Sequence, residues 1–215
     1  MTFKTPDGYE FEAHVYGPDD AEHAILIVHD WWGVLDYNKR WAERFAAAGY
    51  KAMVIDLYDG ERARSVEEAG EMMRGLDQDQ ADSKLVTAVD FLKQNGRKVA
   101  TLGWSLGGRQ AMQAALLDPE AVCAAVLFYC RMLTDVSQLE QLGGPVFAVY
   151  AKNEQTWPAK MENFNKAMDA AGKVVETVCY DAVHGFVNPT SERYNAELAE
   201  DAWHKVQEFL ARAMK

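Results

Sequence analysis

The sequence predicts a single α/β domain, residues 1–215, with a mostly parallel sheet and helices on both of its faces. Three observations predict this class. Six short apolar segments alternate with longer segments of helical periodicity, which is typical of repeated strand–helix units. Most of the six are apolar at nearly every position, as strands covered on both faces are. The length also suits one domain, since compact domains usually contain about 100–200 residues and α/β domains often more.

The predicted strands are the six apolar segments, taken here in chain order. They are Ala24–Asp30, Lys51–Leu57, Lys98–Trp104, Cys123–Tyr129, Pro145–Ala151 and Val174–Tyr180. The residues from Phe3 to Tyr16 precede them and are expected to form a short antiparallel strand or hairpin. Such an arrangement places catalytic groups at the carboxyl ends of the parallel strands, so chemistry is sought just after each apolar segment.

Five helices are predicted from apolar spacing and from the residues that stop a helix. They are Tyr37–Ala48, Asp79–Gln94, Gly107–Leu117, Pro158–Ala171 and Ala196–Met214. Glycine follows the first and fourth, where a left-handed residue commonly ends a helix. Proline follows the third, and proline opens the fourth at a position where its missing N–H costs nothing.

The charge of the chain argues against two classes of partner. Lysine and arginine number 22 against 33 acidic residues, a formal net charge of −11. Such a surface repels nucleic-acid phosphates and anionic lipids, so we expect neither a nucleic-acid nor a membrane partner. No apolar segment approaches the roughly 20 residues that a membrane-spanning helix needs.

The start of the chain and its cysteines indicate a cytoplasmic protein. The first residues lack the long apolar segment of a signal peptide. The three cysteines, Cys123, Cys130 and Cys179, are odd in number and match no metal-binding spacing. We therefore expect free thiols in a reducing compartment and no metal.

A serine motif follows the third predicted strand. Gly103–Gly108 reads G-W-S-L-G-G and leads directly into a predicted helix. The motif G-x-S-x-G between a strand and a helix forms a sharp turn, in which glycines allow close packing and the serine is exposed. Ser105 would also lie at a helix N-terminus, which favours developing negative charge. Ser105 is the predicted nucleophile.

His184 is the predicted general base among the five histidines. It follows the last strand, whereas His14 and His23 lie near the first core strand and His204 lies within the last helix. His29 ends an early strand, before the serine. The chain order of serine, acid and histidine is that of an α/β-hydrolase.

Glu154 is the predicted acid, because it is the carboxylate that follows the strand Pro145–Ala151. It would orient the imidazole and stabilise the imidazolium ion. Asp181 and Asp135 are alternatives, and Glu154 could instead be a solvated loop charge or a helix N-terminal carboxylate.

Backbone N–H groups are expected to form an oxyanion hole. One would come from Leu106, after the nucleophile, and the second from Trp31, in the loop after the first core strand. Trp32 and Trp104 are expected to contact substrate, although the adjacent tryptophans at 31 and 32 fit plain packing equally well.

With these residues placed, the chain resembles the dienelactone hydrolase family, a compact branch of the α/β-hydrolases, from about His23 to the C-terminus. The matching segments are HDWWG (His29–Gly33), DLY (Asp56–Tyr58), GWSLGG (Gly103–Gly108), Phe128–Tyr129, NExxWP (Asn153–Pro158) and HGF (His184–Phe186). The resemblance implies a triad of Ser105, Glu154 and His184 and an oxyanion hole at Trp31 and Leu106. It places Tyr129 in the pocket wall. It also implies that Asp30 contacts substrate, because the type enzymes carry a glutamate beside the nucleophile at that position.

The departures from the family concern the substrate. The type enzymes use a cysteine nucleophile and usually an aspartate, where this chain has Ser105 and Glu154. Two arginines bind the substrate carboxylate in those enzymes. Their positions hold Asp59–Gly60 and Asn188 here, and Arg62 and Arg193 are the nearest alternatives in sequence. Without these arginines an anionic lactone loses its charge-assisted anchor. The net charge of −11 also weighs against an anionic substrate, so neutral, small acyl substrates are expected.

The expected activity is hydrolysis of small carboxylic esters or lactones through an acyl-enzyme, with no cofactor. A thioesterase or peptidase on the same triad, or a non-catalytic binding domain, are the alternatives; chemistry at Cys130 is disfavoured because no histidine is placed for it. We expect a monomer or weak homodimer. Only Cys130–Gly144 separates two strands where larger relatives carry a cap domain, so no cap domain is expected.

Overall fold

A computed structural model describes residues 1–215 and contains one eight-stranded sheet, in the order β1-β2-β4-β3-β5-β6-β7-β8. The strands are β1 (Thr2–Lys4), β2 (Glu10–Tyr16), β3 (His23–Val28), β4 (Lys51–Ile55), β5 (Lys98–Trp104), β6 (Val122–Phe128), β7 (Val146–Ala151) and β8 (Val175–Tyr180). The six strands from β3 to β8 run parallel to one another. β1 and β2 form an antiparallel hairpin, and β2 pairs antiparallel with β4. The predicted fold class is confirmed.

Seven α-helices connect and flank the strands. They are α1 (Asp36–Ala47), α2 (Val66–Gly75), α3 (Gln78–Leu92), α4 (Leu106–Leu117), α5 (Val136–Leu139), α6 (Ala159–Ala170) and α7 (Ala196–Ala213). None of them has the length and apolarity needed to cross a membrane. The five predicted helices are found with ends shifted by at most two residues.

Two helices, α2 and α5, were missed by the sequence analysis. α2 buries only Ala69 and Gly70, and its larger apolar residues Val66 and Met73 are exposed. Its start is nevertheless marked, because the Ser65 side chain accepts a hydrogen bond from the Glu68 N–H, in a Ser-x-x-Glu pattern typical of helix N-termini. α5 is a single turn, which is too short to show periodicity.

Two hydrophobic clusters cover the two faces of the sheet. One contains 31 buried residues and packs the sheet against α3, α4 and α6. The other contains 30 and packs it against α1 and α7. Trp41 of α1 lies at the centre of the second cluster, with its ring edge-to-face with those of Trp104, Phe128 and Trp203 at centroid distances of 5.2, 5.6 and 5.0 Å.

The carboxyl ends of the parallel strands form the edge where the predicted catalytic residues meet. Ser105 directly follows β5, Glu154 follows β7, and His184 follows β8. The segment between β6 and β7 contains only the single-turn α5, so no cap domain is inserted there above this edge.

Gly107→Ala is expected to destabilise the fold. A Cβ atom at Gly107 would lie 2.2 Å from the Val28 carbonyl oxygen and 2.3 Å from that of His29, so backbone would have to move. Overpacking of this kind costs about 1–3 kcal/mol or more of unfolding free energy, which urea unfolding measures.

Gly75→Ala is the matched control for that substitution. A Cβ at Gly75, the last residue of α2, meets nothing within 4 Å. Its unfolding free energy should stay equal or rise by up to about 1 kcal/mol, since alanine favours helix. Equal stability of both variants would contradict the close packing at Gly107.

Candidate active site

The turn between β5 and α4 presents Ser105 in a strained backbone conformation. Its φ is +52° and its ψ is −115°, a region that non-glycine residues seldom occupy. The Ser105 N–H donates to the Phe128 carbonyl oxygen at 2.9 Å, which ties the turn to the end of β6. Such strain costs about 1–3 kcal/mol and persists where surrounding structure enforces it, often at functional sites.

Close backbone contacts on both sides of the serine enforce this turn. A Cβ at Gly103 would lie 2.0 Å from the Gly107 carbonyl oxygen, and a Cβ at Gly107 would collide with the ends of β3. Only glycine fits at either position. The two glycines of G-x-S-x-G are therefore required by the close approach of β5, α4 and β3 at this turn.

The structure joins the three side chains of the predicted triad in one hydrogen-bonded chain. The His184 Nε2 atom is 2.9 Å from the Ser105 Oγ atom, and its Nδ1 atom is 2.7 Å from the Glu154 Oε1 atom. An ionised carboxylate can only accept hydrogen bonds, so Nδ1–H donates to Glu154. In the neutral imidazole, Nε2 is then the acceptor for the Ser105 hydroxyl, the arrangement that a general base requires.

The Glu154 carboxylate accepts hydrogen bonds from two partners, one at each oxygen. Its second oxygen, Oε2, accepts a hydrogen bond from the Lys160 ammonium group. Burial alone would raise the pKa of Glu154, but the hydrogen bonds from His184 and Lys160 hold that pKa below its usual value. Glu154 is therefore an anion at neutral pH. Lys160 was not singled out by the sequence analysis.

A cavity of about 600 Å³ opens beside Ser105. His184, Glu154 and Lys160 line one side of it. Tyr129 lines it as well, and its ring lies edge-to-face with the His184 imidazole at 4.9 Å. Met73, Leu76, Gln78, Leu106, Arg109, Gln110, Cys130, Arg131 and Thr156 complete the wall.

The backbone N–H groups of Leu106 and Trp31 have no hydrogen-bond acceptor within the protein. Leu106 is the first residue of α4, where N–H groups have no acceptor within the helix. The Trp31 N–H, in the loop after β3, donates to no acceptor in the protein. Both are the donors that the sequence analysis expects in an oxyanion hole, and that role stays a prediction.

Three residues expected at the substrate lie outside the cavity wall. Trp104 is wholly buried, with its ring against Tyr37, Trp41 and Phe128, because side chains alternate between sheet faces and this one enters the core. The expectation that Trp104 contacts substrate is therefore wrong. Trp32 packs edge-to-face on its neighbour at 5.6 Å, in keeping with the packing alternative.

Asp30 is also absent from the cavity wall, because its carboxylate has partners within the protein. It accepts hydrogen bonds from the Trp32 N–H at 2.9 Å and from the Tyr37 hydroxyl at 2.7 Å. It is 6% exposed, and burial raises its pKa although both hydrogen bonds oppose the rise. Its placement suits a role in holding the loop that carries the Trp31 N–H.

The residues at the two family arginine positions have structural partners. Asp59 accepts from the buried Lys84 ammonium group at 2.6 Å and from the Tyr9 hydroxyl at 2.8 Å. Asn188 accepts from the Thr190 N–H and hydroxyl, at 3.0 and 2.8 Å, within a turn. Arg62 and Arg193, the alternatives nearby in sequence, do not line the cavity.

Two other arginines border the cavity instead. Arg109 lies on the first turn of α4, four residues after Ser105, and Arg131 follows Tyr129 by two residues. Both side chains are exposed, and neither forms an ion pair within the protein. The spacing of Arg109 from Ser105 could have indicated its position, because residues four apart lie on one side of a helix.

The alternative partners considered for the triad lie elsewhere. Asp135 caps α5 by accepting from the Gln138 N–H. His204 is exposed on α7 and pairs with Glu200. Cys130 is 2% exposed and lies against Gly108, and burial raises the pKa of its thiol to about 12.

Comparison with known proteins places this geometry in context. A model of the dienelactone hydrolase family matches residues 11–214. A protein of Methylorubrum extorquens, provisionally named a carboxymethylenebutenolidase, is 30% identical over 205 residues, which cover 86% of this chain and 70% of the relative. A protein of Saccharolobus solfataricus with the same provisional name is 24% identical, covering 99% of this chain and 98% of the relative.

The fold is likewise shared with solved structures. A crystal structure of a provisionally named dienelactone hydrolase from Klebsiella pneumoniae superposes with a TM-score of 0.84, at 22% identity, over 98% of this chain and 97% of that one. At this identity the likeness concerns the fold alone. The predicted α/β-hydrolase architecture is confirmed.

Cys130 is expected to be unreactive in the folded protein. With a thiol pKa of about 12, on the order of one molecule in ten thousand is the nucleophilic thiolate at pH 8. Peptide mass spectrometry after brief iodoacetamide treatment should find Cys130 unmodified, whereas the same treatment in urea should modify all three cysteines. Rapid modification of Cys130 without urea would restore it as a nucleophile candidate.

Proposed function

The chain is a hydrolase of the dienelactone hydrolase family, and we propose that it cleaves small carboxylic esters or lactones through an acyl-enzyme on Ser105. One observation carries this proposal: the hydrogen-bonded chain from the Ser105 hydroxyl through His184 to Glu154, at 2.9 and 2.7 Å. His184 is thereby within hydrogen-bond distance of both the nucleophile and the orienting acid, and all three side chains line one cavity.

The first half of the reaction forms the acyl-enzyme. Ser105 Oγ attacks the ester carbonyl carbon while its proton moves to His184 Nε2. The carbonyl oxygen becomes an oxyanion, which the N–H groups of Trp31 and Leu106 bind. The imidazolium, stabilised by Glu154, then gives its proton to the leaving alcohol as the carbon–oxygen bond breaks.

The second half repeats these steps with water. His184 Nε2 takes a proton from a water molecule, whose oxygen attacks the acyl carbon. The oxyanion forms again at the same donors. Return of the proton to Ser105 Oγ releases the carboxylic acid and restores the enzyme. Each step uses a side chain or N–H group of this chain, and none calls for a cofactor.

The absence of an insertion between β6 and β7 favours small substrates. No cap domain is inserted between β6 and β7, and the His184 side chain is 41% exposed, so the reacting carbon is reached from an open cleft. An open cleft removes little of a long acyl chain from water, and apolar burial is what such chains gain on binding. Small acyl groups are therefore the proposed substrates.

A second candidate substrate is an ester or lactone that carries a carboxylate. Arg109 and Arg131 favour it, because both border the cavity and neither is neutralised by an acid. The substrate in the provisional name of the two relatives is a lactone with a carboxyl group. The expectation of a neutral substrate rests on the family arginine positions and on the net charge of −11, and these two arginines lie at other positions.

Ser105→Ala is expected to lower kcat by several orders of magnitude on p-nitrophenyl acetate, because the covalent route is removed. Thermal unfolding should remain cooperative, since alanine removes one half-buried hydroxyl and leaves the backbone contacts of the turn in place. Ser83→Ala in α3, outside the cavity, is the control and should retain wild-type kcat. Full activity of Ser105→Ala would refute the proposal.

The same pair of variants separates an enzyme from a binding domain. A fluorophosphonate should label the wild type and Ser83→Ala at Ser105 and should leave Ser105→Ala unlabelled. A p-nitrophenyl ester series of increasing chain length, with a lactone, a thioester and a peptide, then distinguishes esterase from thioesterase and peptidase. The absence of an adduct at Ser105 would favour a non-catalytic binding domain.

The charge preference is tested with the double variant Arg109→Gln, Arg131→Gln. Exposed ion pairs each contribute about 0.2–1 kcal/mol, so loss of two of them should raise KM for a mono-p-nitrophenyl ester of succinate about 2- to 30-fold. The KM for p-nitrophenyl acetate should not change. An unchanged KM for the succinate ester would reject the second candidate and leave neutral esters as the proposed substrates.

A further inference from the structure

The Lys160 ammonium group binds the carboxylate of Glu154 on the oxygen that His184 does not use. Lys160 donates to Oε2, and His184 donates to Oε1 at 2.7 Å. Both partners of the ion pair are largely buried, with side-chain exposures of 16% for Lys160 and 11% for Glu154. The pair also forms part of the cavity wall beside Ser105.

The position of Lys160 does not stabilise its own helix. Lys160 is the second residue of α6, and the first turn of a helix carries partial positive charge from its free N–H groups. A cation there is unfavourable by itself, whereas acidic residues are favoured. The benefit of a lysine at this position therefore lies in its contact with Glu154.

A glutamate in this role needs more restraint than an aspartate does. Its additional methylene adds a rotatable bond, so a single hydrogen bond to His184 leaves the carboxylate free to turn about that bond. Holding each oxygen by a different partner removes this freedom. Lys160 reaches Glu154 from α6 and His184 reaches it from the loop after β8, so the carboxylate is clamped between two separate elements.

We propose that Lys160 is a positioning residue, which fixes the Glu154 carboxylate against His184 and partly offsets its charge. This inference rests on the proposed function, because it assumes that His184 acts as the base. Orientation by Lys160 increases kcat. The positive charge of Lys160 also disfavours a second cation beside Glu154.

Other titratable groups lie near His184 and Glu154, and they are the same in the wild type and in the Lys160 variants. Tyr129 and Cys130 are neutral at pH 5–9 because burial raises the pKa of each. Asp30 faces His184 from the loop after β3, and Arg109 faces the cavity from α4. Because these groups are unchanged when Lys160 is replaced, a difference between the two pH profiles reports the lysine.

The test compares Lys160→Met, Lys160→Arg and the wild type by kcat and KM on p-nitrophenyl acetate from pH 5 to pH 9. Lys160→Met should lower the plateau kcat about 10- to 100-fold, the range in which small misplacements of catalytic groups act. KM for this neutral ester should stay the same, and the acid limb of kcat/KM should move to higher pH, because the site loses a positive charge. Lys160→Arg keeps the cation and should restore the limb and most of kcat.

Lys166→Met is the matched control, since Lys166 is exposed on the same helix and forms no ion pair. It should reproduce both the kcat and the pH profile of the wild type. Thermal unfolding is recorded for every variant. Should Lys160→Met fail to fold, Lys160→Gln takes its place, with the same expected kcat and pH profile.

The outcomes separate this inference from the proposed function. Wild-type kcat and an unmoved acid limb in folded Lys160→Met, with Ser105→Ala inactive, would overturn the role of Lys160 alone. Loss of kcat in Lys160→Met without a shifted limb, or without rescue by Lys160→Arg, would reduce Lys160 to a structural residue and also overturn it. Retained activity of Ser105→Ala would instead remove the proposed function.

Discussion

The geometry of the site depends on the packing of bare backbone around Ser105. The strand before the serine and the helix after it approach so closely that a Cβ at Gly103 would lie 2.0 Å from a carbonyl oxygen of the turn. The turn is also bound to β6 by the Ser105 N–H and packed against the end of β3 at Gly107. These contacts hold the positive φ of Ser105, expose its hydroxyl and leave the Leu106 N–H unbonded. The loops after β7 and β8 supply Glu154 and His184.

The electrostatics of the site differ from those of the molecule as a whole. The chain carries a net charge of −11, yet the cavity beside Ser105 contains Arg109, Arg131 and Lys160 against one carboxylate, Glu154. The lysine is neutralised by Glu154, and the two arginines are not paired. Net charge describes long-range attraction and repulsion, whereas a bound substrate responds to groups within a Debye length, about 8–10 Å. Reasoning from net charge to a neutral substrate is therefore weak.

Residues that replace family features have taken up structural roles. Asp59, at the position of one family arginine, binds the buried Lys84 and holds the loop after β4. Asn188, at the other, fixes a turn near His184. Cys130 fills a space against Gly108 and has an unreactive thiol. A substrate anion could be bound here only by other residues, and the cavity presents such residues at Arg109 and Arg131.

The sequence by itself determined the elements whose signals are local. Continuous apolar segments indicated the six parallel strands, helix-stopping glycines and prolines bounded the five longer helices, and G-x-S-x-G marked Ser105 because close backbone packing tolerates no side chain there. The positions of Glu154 and His184 followed from strand ends, since parallel strands end at one edge. Only the tertiary structure decided which side chains face the cavity. Trp104 lies in the core because its side chain points to the sheet face that α1 and α7 cover. Lys160 and Arg131 line the cavity because the chain folds α6 and the loop after β6 against the serine turn, and the order of residues alone does not show this.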